Sequence, residues 1–278
     1  MSDGGTGTLY VVSTPIGNMG DFSFRAVEIL GSVDLVLAED TRHTGQLLKR
    51  YEIAAKMFAY HEHNEAKSTP GLVARLVAGE TMALVTDAGT PILSDPGGRL
   101  VAAAIAANIV VTPIPGASAL LSALVASGLS AERFTFFGFL SRSGGDRRAA
   151  IAELADLPHT AVLYEAPGRV AQTLADIEEA GGGDRRAAVA RELTKQFEET
   201  RRGTVAELGA YYKESPPRGE VVIVISGAPE HVADEAQIRG RVRALRGQGM
   251  SARDTAATVA KELGISRRVA YQLTQERE

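Results

Sequence analysis

The feature that most restricts the fold of this chain is a regular alternation of short β-type runs with helical patterns. The predicted strands are TLYVVST (8–14), DLVLAED (34–40), KMFAYH (56–61), TMALVTD (81–87), IVVTPIP (109–115), FTFFGFL (134–140), TAVLYEA (160–166), RAAVARELT (186–194) and EVVIVISG (220–227). A helical pattern follows each of the first eight runs, for example TGQLLKRY (44–51) and TPGLVARLVAGE (69–80). Such alternation predicts an α/β fold with mostly parallel sheets covered by helices.

A stiff connector around Pro113–Gly116 divides this pattern. We predict an N-terminal α/β domain over residues 1–114, a second α/β domain over residues 115–228, and a helical extension over residues 229–278. Within the extension, Gly264 is placed to end one helix and Ser266 to cap the next. The pattern fits both a helix–turn–helix pair and a small helical hairpin.

Composition restricts the classes of protein. Cysteine is absent, which excludes disulfides, thiolate catalysis and cysteine-based metal centres and suits a reducing compartment. The opening residues, MSDGGTGT, lack the basic-then-apolar pattern of a signal peptide. The longest apolar stretch, LVAAAIAANIVV, has 12 residues and is interrupted by Asn108, so it is too short to span a bilayer. We therefore expect a soluble, cytoplasmic protein with no membrane partner.

Charge is distributed unevenly along the chain. The formal net charge is −4, yet residues 237–278 contain nine Lys/Arg against four Asp/Glu, a net of +5. Residues 1–236 therefore carry a net charge of −9. A basic appendage on an acidic body is typical of an enzyme with a separate contact for an anionic polymer, although a solvated basic helix has the same composition.

Conspicuous loops follow the first five predicted strands, and ligands of parallel α/β sheets bind at these carboxyl ends. The loops are TPIGN, EDTRHT, HEHNE, DAGTPILSDPG and PIPGAS. No GxGxxG dinucleotide motif is present, and the first loop alone is also explained as a turn. In the second loop, Glu39, Asp40, Arg42 and His43 bring four ionisable groups together, either for function or as an ion pair beside a helix cap.

The third and fourth loops carry further ionisable side chains. His61 and His63 would project from the same face of a strand, but no third ligand follows at a standard metal spacing. We therefore predict no metal, and expect these histidines to hydrogen-bond to substrate or to a neighbouring loop. Asp87 and Asp95 are a possible carboxylate pair at an unknown separation, and the backbone of residues 88–90 allows close approach of a ligand. Ser118 lies at a predicted helix start, where free N–H groups receive polar ligand atoms.

Several segments together resemble one enzyme family. They are VVSTPIGNMGDFSFRAVEIL, AEDTRHTGQLL, HEHNE, VTDAGTPILSDPG, PIPGASA, FFGFL, YEAPGRV and ARELTKQFEE. In combination they resemble the ribosomal RNA small subunit methyltransferase I family. This family is the RNA-modifying branch of the S-adenosylmethionine enzymes that are similar to tetrapyrrole methylases.

The resemblance implies two α/β domains with S-adenosyl-L-methionine in the cleft between them, usually within a homodimer. It also implies 2′-O-methylation of a cytidine ribose in the decoding region of 16S rRNA, so 16S rRNA or the 30S subunit is the expected partner. It makes the fourth loop one wall of a cofactor pocket and sets aside the aspartate pair as a catalytic dyad. The residues it implies at the cofactor are Pro15, Ile16, Gly17, Asp87, Ala88, Gly89, Thr90, Pro91, Leu93, Ser118, Ala119, Tyr164, Glu192, Leu193 and Thr194.

Methyl transfer to a ribose hydroxyl needs positioning, and a base or a cation at the developing alkoxide would help. Asp40 and His43 are the candidates for the base and Lys195 for the cation. The alternative is that these side chains orient RNA or tie loops together without taking a proton. The residues expected to contact RNA are Arg42, His61, His63, Asn64, Arg142, Arg147, Arg148, Arg201, Arg202, Arg267 and Arg268.

Two rival functions fit parts of the sequence. One is a related methylase acting on a tetrapyrrole-like small molecule, against which the EDTRHT and HEHNE loops and the basic tail argue. The other is a DNA-binding regulator that uses residues 251–276. Its recognition helix would present only Arg267, Arg268 and Gln272, which are few side chains for reading bases.

Overall fold

The computed structural model describes residues 6–229, 235–263 and 266–275. Contacts group the chain into two compact units, Met1–Ala228 and Pro229–Glu278. The strands are β1 (Thr8–Val12), β2 (Leu35–Ala38), β3 (Met57–Ala59), β4 (Met82–Val85), β5 (Val110–Ile114), β6 (Phe134–Phe139), β7 (Thr160–Glu165), β8 (Arg186–Arg191), β9 (Glu199–Thr204) and β10 (Val221–Ile225). The α-helices are α1 (Phe24–Ser32), α2 (Thr41–Arg50), α3 (Glu65–Val77), α4 (Gly98–Ala106), α5 (Ala119–Ser127), α6 (Gly144–Asp156), α7 (Val170–Ile177), α8 (Val205–Glu214), α9 (Glu235–Gly247), α10 (Ala252–Glu262) and α11 (Arg267–Gln275).

The first sheet follows the predicted pattern. Its strand order is β3-β2-β4-β1-β5, and all four pairings are parallel. The central strands β2 and β4 are buried along their whole length. Alternate residues of β2 enter different cores, because Leu35 and Leu37 pack on one face of the sheet and Val36 and Ala38 on the other. Helices therefore cover both faces, as an all-parallel sheet requires.

The second sheet confirms the α/β class but departs from parallel pairing. Its order is β6-β7-β10-β8-β9, with β6–β7 parallel and the other three pairings antiparallel. The cause is β9, which the sequence prediction missed and which pairs directly with β8 in antiparallel register. This hairpin reverses the chain, so β10 runs antiparallel to both of its neighbours. Among the described strands five of the eight pairings are still parallel.

One face of the second sheet packs against the start of the chain and positions the site. Helix α5 covers this face, and Leu120 and Leu124 pack with Val162 and Val222. Ile16, from the loop after β1, belongs to the same buried cluster. The predicted boundary between residues 114 and 115 stays a prediction, since the structure groups residues up to Ala228 into one compact unit.

The unit Pro229–Glu278 is helical, as predicted for the extension. Its core is formed by small and aliphatic side chains, namely Ile238, Val242, Leu245, Ala256, Val259 and Ala270. The backbone N–H of Val269 donates to Ser266 Oγ at 3.3 Å, while Gly264 lies outside the described residues. In the part of the chain that the structure describes, no helix is long and apolar enough to cross a membrane.

Candidate active site

A cavity of about 430 Å³ lies where loops of the two sheets meet. The first half of the chain lines it with Ile16, Glu39, Thr86, Asp87, Ala88, Thr90, Leu93, Ser94, Asp95, Ser118 and Ala119. The second half lines it with Phe139, Tyr164, Glu165, Ala166, Pro167, Gly219, Glu220, Val221 and Val222. Its volume falls within the range of small-molecule sites in proteins.

Backbone pairing beyond the ends of β1 and β4 builds one wall of the cavity. Thr14 N donates to Gly89 O at 2.8 Å, and Gly89 N returns a bond to Thr14 O at 3.1 Å. Gly89 has φ +87°, and a Cβ there would lie 3.2 Å from Ile16 Cγ2. Thr90 Oγ1 donates to Ala117 O at 3.2 Å and so links this loop to the segment that enters α5. The wall is thus held by hydrogen bonds and by a glycine in the left-handed region.

The loop that follows is strained. Ile92 has φ +79° and Ser94 has φ +71°, and both flank the cavity-lining Leu93. Positive φ is uncommon for residues other than glycine, and for a β-branched side chain such as Ile92 it is a clear outlier. Backbone strain of this kind concentrates at ligand sites, where the surrounding structure enforces it.

Three carboxylates line the first-sheet side of the cavity. Glu39 Oε2 accepts from Thr86 Oγ1 at 2.8 Å, and Asp87 Oδ1 accepts from Asp40 N at 3.1 Å. Burial raises the pKa of Asp95 to about 6, and it also raises the pKa of Asp87. Among the ion pairs formed by the described residues, none involves Glu39, Asp87 or Asp95. None of the three therefore has a cation from the described residues in direct contact, although Arg42 and His43 act electrostatically on Asp87 from beyond ion-pair distance.

The carboxylates of the second half, in contrast, are paired. Glu165 is buried and accepts from Thr173 Oγ1 at 2.6 Å and from Ala166 N at 2.8 Å, and Arg169 Nε lies 3.2 Å from it. Glu220 Oε2 lies 3.0 Å from Lys195 Nζ. Each negative charge on this side thus has a cation beside it.

Tyr164 anchors the second half to the start of α5. Its hydroxyl oxygen accepts from Leu120 N at 3.2 Å, one of the free N–H groups in the first turn of that helix. Burial raises the pKa of this phenol, so it remains a neutral group at physiological pH. The ring of Tyr164 also contacts the rings of Phe136 and Phe139 edge-on.

The structure places the predicted cofactor residues in two layers. Those that line the cavity are Ile16, Asp87, Ala88, Thr90, Leu93, Ser118, Ala119 and Tyr164. Pro15, Gly17, Gly89 and Pro91 are their chain neighbours in the same loops. Glu192, Leu193 and Thr194, which belong to the RELT segment (residues 191–194), are not among the residues that line the cavity.

The RELT segment supports the loop after β1. Leu193 packs in the same buried cluster as Ile16, and Thr194 Oγ1 accepts from Asn18 N at 3.0 Å. Glu192 Oε1 accepts from Lys195 Nζ at 2.9 Å. A role for these residues in holding the cofactor stays a prediction, and their contacts indicate that it would be indirect.

Sequence reasoning missed part of the cavity wall. The sequence singles out Glu39 and Asp95 as ionisable groups without assigning them to the cofactor. The wall residues that it does not single out are Thr86, Ser94, Phe139, Glu165, Ala166, Pro167, Gly219, Glu220, Val221 and Val222. Residues 219–222 lie at the amino-terminal end of β10, whereas the loops singled out in the sequence follow the carboxyl ends of strands. Because β10 is antiparallel to β7, its amino-terminal end lies beside the carboxyl end of β7. The proline and glycine in SPPRGEVV were the available signal.

The three predicted catalytic side chains do not line the cavity. Asp40 is the N-cap of α2, where its Oδ1 accepts from Arg42 N at 2.8 Å, and its Oδ2 lies 2.7 Å from Arg42 Nη2. The hydrogen bonds from Arg42 hold the pKa of Asp40 well below its usual range. His43 is exposed in the first turn of α2. Lys195 reaches the cavity indirectly, through its bond to Glu220. Their catalytic roles stay predictions.

The residues predicted to contact RNA differ in how accessible they are. The exposed ones are Arg42, His63, Arg142, Arg148, Arg202, Arg267 and Arg268. Arg202, although exposed, donates to carbonyls at the end of α5, and Arg201 stacks 3.8 Å above the Tyr211 ring and pairs with Glu199.

Two predicted RNA contacts are engaged inside the protein instead. Arg147 is only 8% exposed, and it donates to Asp176 Oδ2 at 2.6 Å and to Thr173 Oγ1 at 3.0 Å. Its position corrects the expectation, because a guanidinium held by a carboxylate in the core cannot reach a phosphate. Asn64 braces its own turn, since its side chain accepts from His61 N and donates to Ala59 O. The ring of His61 lies 6.0 Å from that of His63.

Within the described ranges, no group of three or more His, Asp or Glu side chains is arranged to hold a metal ion.

Comparison with known proteins gives concordant results. Residues 8–209 match the family of tetrapyrrole (corrin/porphyrin) methylases. A protein of Synechocystis sp. named ribosomal RNA small subunit methyltransferase I is 48% identical over 275 residues, covering 98% of this chain and 99% of the relative. Proteins of the same name from Streptococcus pyogenes and Xylella fastidiosa are 41% and 45% identical, over 96% and 95% of this chain and 94% and 98% of the relatives.

Solved structures share the fold at low sequence identity. The methyltransferase CobJ superposes with a TM-score of 0.60 at 14% identity, covering 80% of this chain and 95% of that one. Uroporphyrin-III C-methyl transferase from Thermus thermophilus, complexed with S-adenosylhomocysteine, gives a TM-score of 0.55 at 16% identity, covering 79% and 97%.

Proposed function

Because the chain belongs to the ribosomal RNA small subunit methyltransferase I family, within the tetrapyrrole methylases, we propose that it methylates 16S rRNA. The reaction is transfer of a methyl group from S-adenosyl-L-methionine to the ribose 2′-oxygen of a decoding-centre cytidine, cytidine 1402 in the family. The observation that carries this proposal is the cavity wall on the first-sheet side, where three carboxylates form no ion pair among the described residues.

The residues of the cavity fit this cofactor. The cofactor is a cation of nucleoside size, and the carboxylates Glu39, Asp87 and Asp95 provide a complementary negative surface. The backbone around Gly89 and the apolar side chains of Ile16 and Leu93 provide a close-fitting neutral surface for the nucleoside part. When bound, the cofactor supplies a methyl group that its positively charged sulfur already activates for transfer.

The same charges determine which part of RNA enters. Carboxylates in a confined, partly buried cavity repel phosphate groups, so the RNA backbone stays at the rim while the uncharged ribose and base enter. Exposed arginines such as Arg42, Arg142 and Arg148 lie on the surface where phosphates would be held. The main catalytic contribution of the protein is then to orient the ribose hydroxyl for attack.

Asp95 is the side chain that best fits the proton acceptor for this hydroxyl. It lines the cavity, and with a pKa of about 6 it is mostly ionised at pH 7 while remaining a stronger base than an exposed aspartate. Asp40 is less suited, because hydrogen bonds and a cation stabilise its charge. Lys195, bonded to Glu192 and Glu220, would act on the opposite side by holding the loop after β1 in place.

The test is methyl transfer from radiolabelled cofactor to 30S subunits, naked 16S rRNA or a small-molecule extract, followed by mapping of the label. We expect label on a cytidine 2′-oxygen in at least one RNA substrate. Label on a small molecule alone would indicate a tetrapyrrole-type methylase. Sequence-specific DNA binding without transfer would indicate the helix–turn–helix regulator. Either outcome contradicts the proposal.

The helical unit Pro229–Glu278 is proposed to add RNA affinity. We expect that removal of residues 229–278 weakens binding to 16S rRNA while the affinity for the cofactor is retained, since no cavity-lining residue lies in that unit. Binding titrations with RNA and with cofactor measure the two effects separately. Equal loss of both affinities would show a structural role for the unit instead.

We further propose a homodimer and a cytoplasmic location. Support for the dimer comes from α5, whose outer face exposes Leu121 at 53% and Val125 at 81%. Exposed aliphatic side chains on one helix are typical of an interface between subunits. Light scattering of the wild type and of the variant with Leu121→Glu and Val125→Glu tests the dimer, and an unchanged mass would exclude this face.

A further inference from the structure

The strand that carries Phe139 is irregular near the mouth of the cavity. Along β6 the pairing with β7 runs from Phe136↔Val162 to Phe139↔Tyr164, so three steps in β6 match two steps in β7. This is a β-bulge, and Gly138 within it has φ +62°. In a regular strand, residues three apart face opposite sides, so the bulge turns Phe139 to the same side as Phe136.

The consequence is an aromatic ring that is held in place and yet accessible. The rings of Phe136 and Phe139 lie 4.9 and 5.5 Å from that of Tyr164, both edge-on. Phe136 is half-buried, whereas Phe139 exposes 58% of its surface and also lines the cavity. Phe139 therefore stands at the rim, with one edge on Tyr164 and the rest of its surface open.

The bulge also contacts the strained loop on the opposite wall. A Cβ at position 138 would lie 3.0 Å from Ser94 Oγ, so the close approach of the two segments depends on glycine. Ser94 precedes Asp95 directly in the chain. Phe139 and Asp95, which both line the cavity, are thus each one residue away from this close approach.

A positive charge follows the ring at short range. Arg142 is exposed three residues after Phe139, and three Cα–Cα steps span at most about 11 Å. The segment between them is anchored, because Arg169 Nη2 donates to Leu140 O at 2.9 Å and Arg147 Nη1 donates to Ser141 O at 3.2 Å. An exposed cation therefore follows within about 11 Å, Cα to Cα, of the aromatic ring that lines the cavity.

We propose that Phe139 is the platform on which the base of the target nucleotide stacks when its ribose enters the cavity, with Arg142 contacting the adjoining phosphate. This inference rests on the proposed RNA methyltransferase function and specifies how the site holds its substrate. A nucleotide that leaves its helix loses its stacking partners, and an aromatic side chain replaces them without discriminating between bases. The buried side chains of Ile16 and Val222, which also line the cavity, would contact the cofactor.

The experiment compares variants at position 139 in full-length protein, with 30S subunits and 16S rRNA as substrates. Phe139→Ala is expected to lower kcat/KM for RNA about 10–100-fold, mainly through KM, with unchanged affinity for S-adenosylmethionine. Phe139→Leu keeps an apolar side chain but has no aromatic face, so it is expected to behave like Phe139→Ala. Phe139→Trp is expected to restore most of the activity. Phe134→Ala, at the other end of β6 and not lining the cavity, is the matched control.

Each alternative outcome is informative. Recovery of activity in Phe139→Leu would show that the ring only fills space, and a parallel loss of cofactor affinity in Phe139→Ala would show that it holds the cofactor. Either result overturns the inference, as does normal RNA methylation by Phe139→Ala, while the proposed function stands. If the wild-type protein methylates no RNA, the proposed function fails and this inference fails with it.

Discussion

The two halves of the cavity wall treat negative charge in opposite ways. On the first-sheet side, Glu39, Asp87 and Asp95 lie in the wall and form no ion pair among the described residues. On the second-sheet side, Glu165 has Arg169 and Glu220 has Lys195. Buried or half-buried carboxylates normally acquire a partner, because the loss of hydration is costly.

This difference indicates which side serves the ligand and which serves the fold. A paired carboxylate already has its counter-ion and contributes to the architecture of the wall. An unpaired one retains its field for a ligand, at a cost to the free protein. The comparison therefore predicts that substitutions on the first side alter binding and catalysis, and that those on the second side alter stability.

The largest effect is expected at Asp95. Asp95→Asn should lower kcat about 100–10,000-fold, the range for loss of a general base, with a much smaller loss of cofactor affinity because Glu39 and Asp87 remain. In the wild type, kcat should rise with pH through about 6 and then level off, since the carboxylate must be ionised to accept a proton. Pre-steady-state methyl transfer between pH 5 and pH 8 measures both effects. Glu220→Gln, on the paired side, provides the comparison, and an equal loss of kcat there would contradict the distinction.

The contribution of Asp95 to the free energy of unfolding should fall as pH rises, whereas kcat should rise. The pKa of Asp95 is raised from 3.8 to about 6 by burial, so the folded protein binds this proton more tightly than the unfolded chain does. Its contribution is fully present below pH 3.8 and is lost as pH rises through about 6, by at most about 3 kcal/mol. Comparison of urea unfolding of the wild type and Asp95→Asn at pH 5 and pH 7 isolates this contribution.

The next largest effect is expected at Glu165, on the paired side. Glu165→Gln leaves Arg169 without its counter-ion and disturbs the bond from Thr173, so the free energy of unfolding should fall by about 2–3 kcal/mol. The affinity for S-adenosylmethionine should change little. Denaturant unfolding and calorimetric titration measure the two quantities. A large loss of cofactor affinity with an unchanged free energy of unfolding would contradict the distinction between the two sides of the wall.

A smaller effect is expected from the double variant Glu39→Gln, Asp87→Asn. Removal of these two negative charges, neither of which forms an ion pair among the described residues, should weaken binding of S-adenosylmethionine about 10–30-fold. S-adenosylhomocysteine lacks the positive sulfur, so its affinity should fall much less. Calorimetric titration of both ligands tests this directly, and equal weakening would mean that the carboxylates contact another part of the molecule.

The smallest effect on activity is expected at the exposed Arg148. Its neighbour Arg147 is buried, so this pair applies the same comparison to cations. Arg148 is exposed, so Arg148→Ala should weaken RNA binding slightly and reduce the salt dependence of the affinity by roughly one unit of slope. Arg147→Ala should instead lower the stability of the fold, because its guanidinium bonds with Asp176 and Thr173. Filter binding at several salt concentrations, together with unfolding curves, separates the two roles.

Sequence reasoning was most successful where local pattern and tertiary role agree. The first sheet could be predicted because its strands are apolar and each is followed by a helical pattern. Strand β9 could not, because residues 199–204 are polar and half-exposed at the edge of the sheet, where strands tolerate such side chains. Missing that one strand also concealed the reversed direction of β10, and with it residues 219–222 of the cavity.

The roles of charged side chains were the least predictable. The EDTRHT loop contains the N-cap of α2, Asp40, and helix α2 begins at Thr41, earlier than the predicted residue 44. Helix α3 likewise begins at Glu65, earlier than the predicted residue 69. Pro70, near the start of the predicted helix, therefore lies inside the observed one. Whether a carboxylate caps a helix, forms an ion pair or stays unpaired depends on distances between segments far apart in the chain. Sequence spacing does not contain that information.

The reciprocal hydrogen bonds between Thr14 and Gly89 have a consequence for local opening of the pocket. They form a separate antiparallel bridge beyond the ends of β1 and β4, between two of the loops that face the ligand. Because both amide groups are hydrogen-bonded in this bridge, their protons should exchange with solvent only when the bridge opens. That part of the pocket is already ordered before any ligand arrives, and binding there costs little conformational entropy.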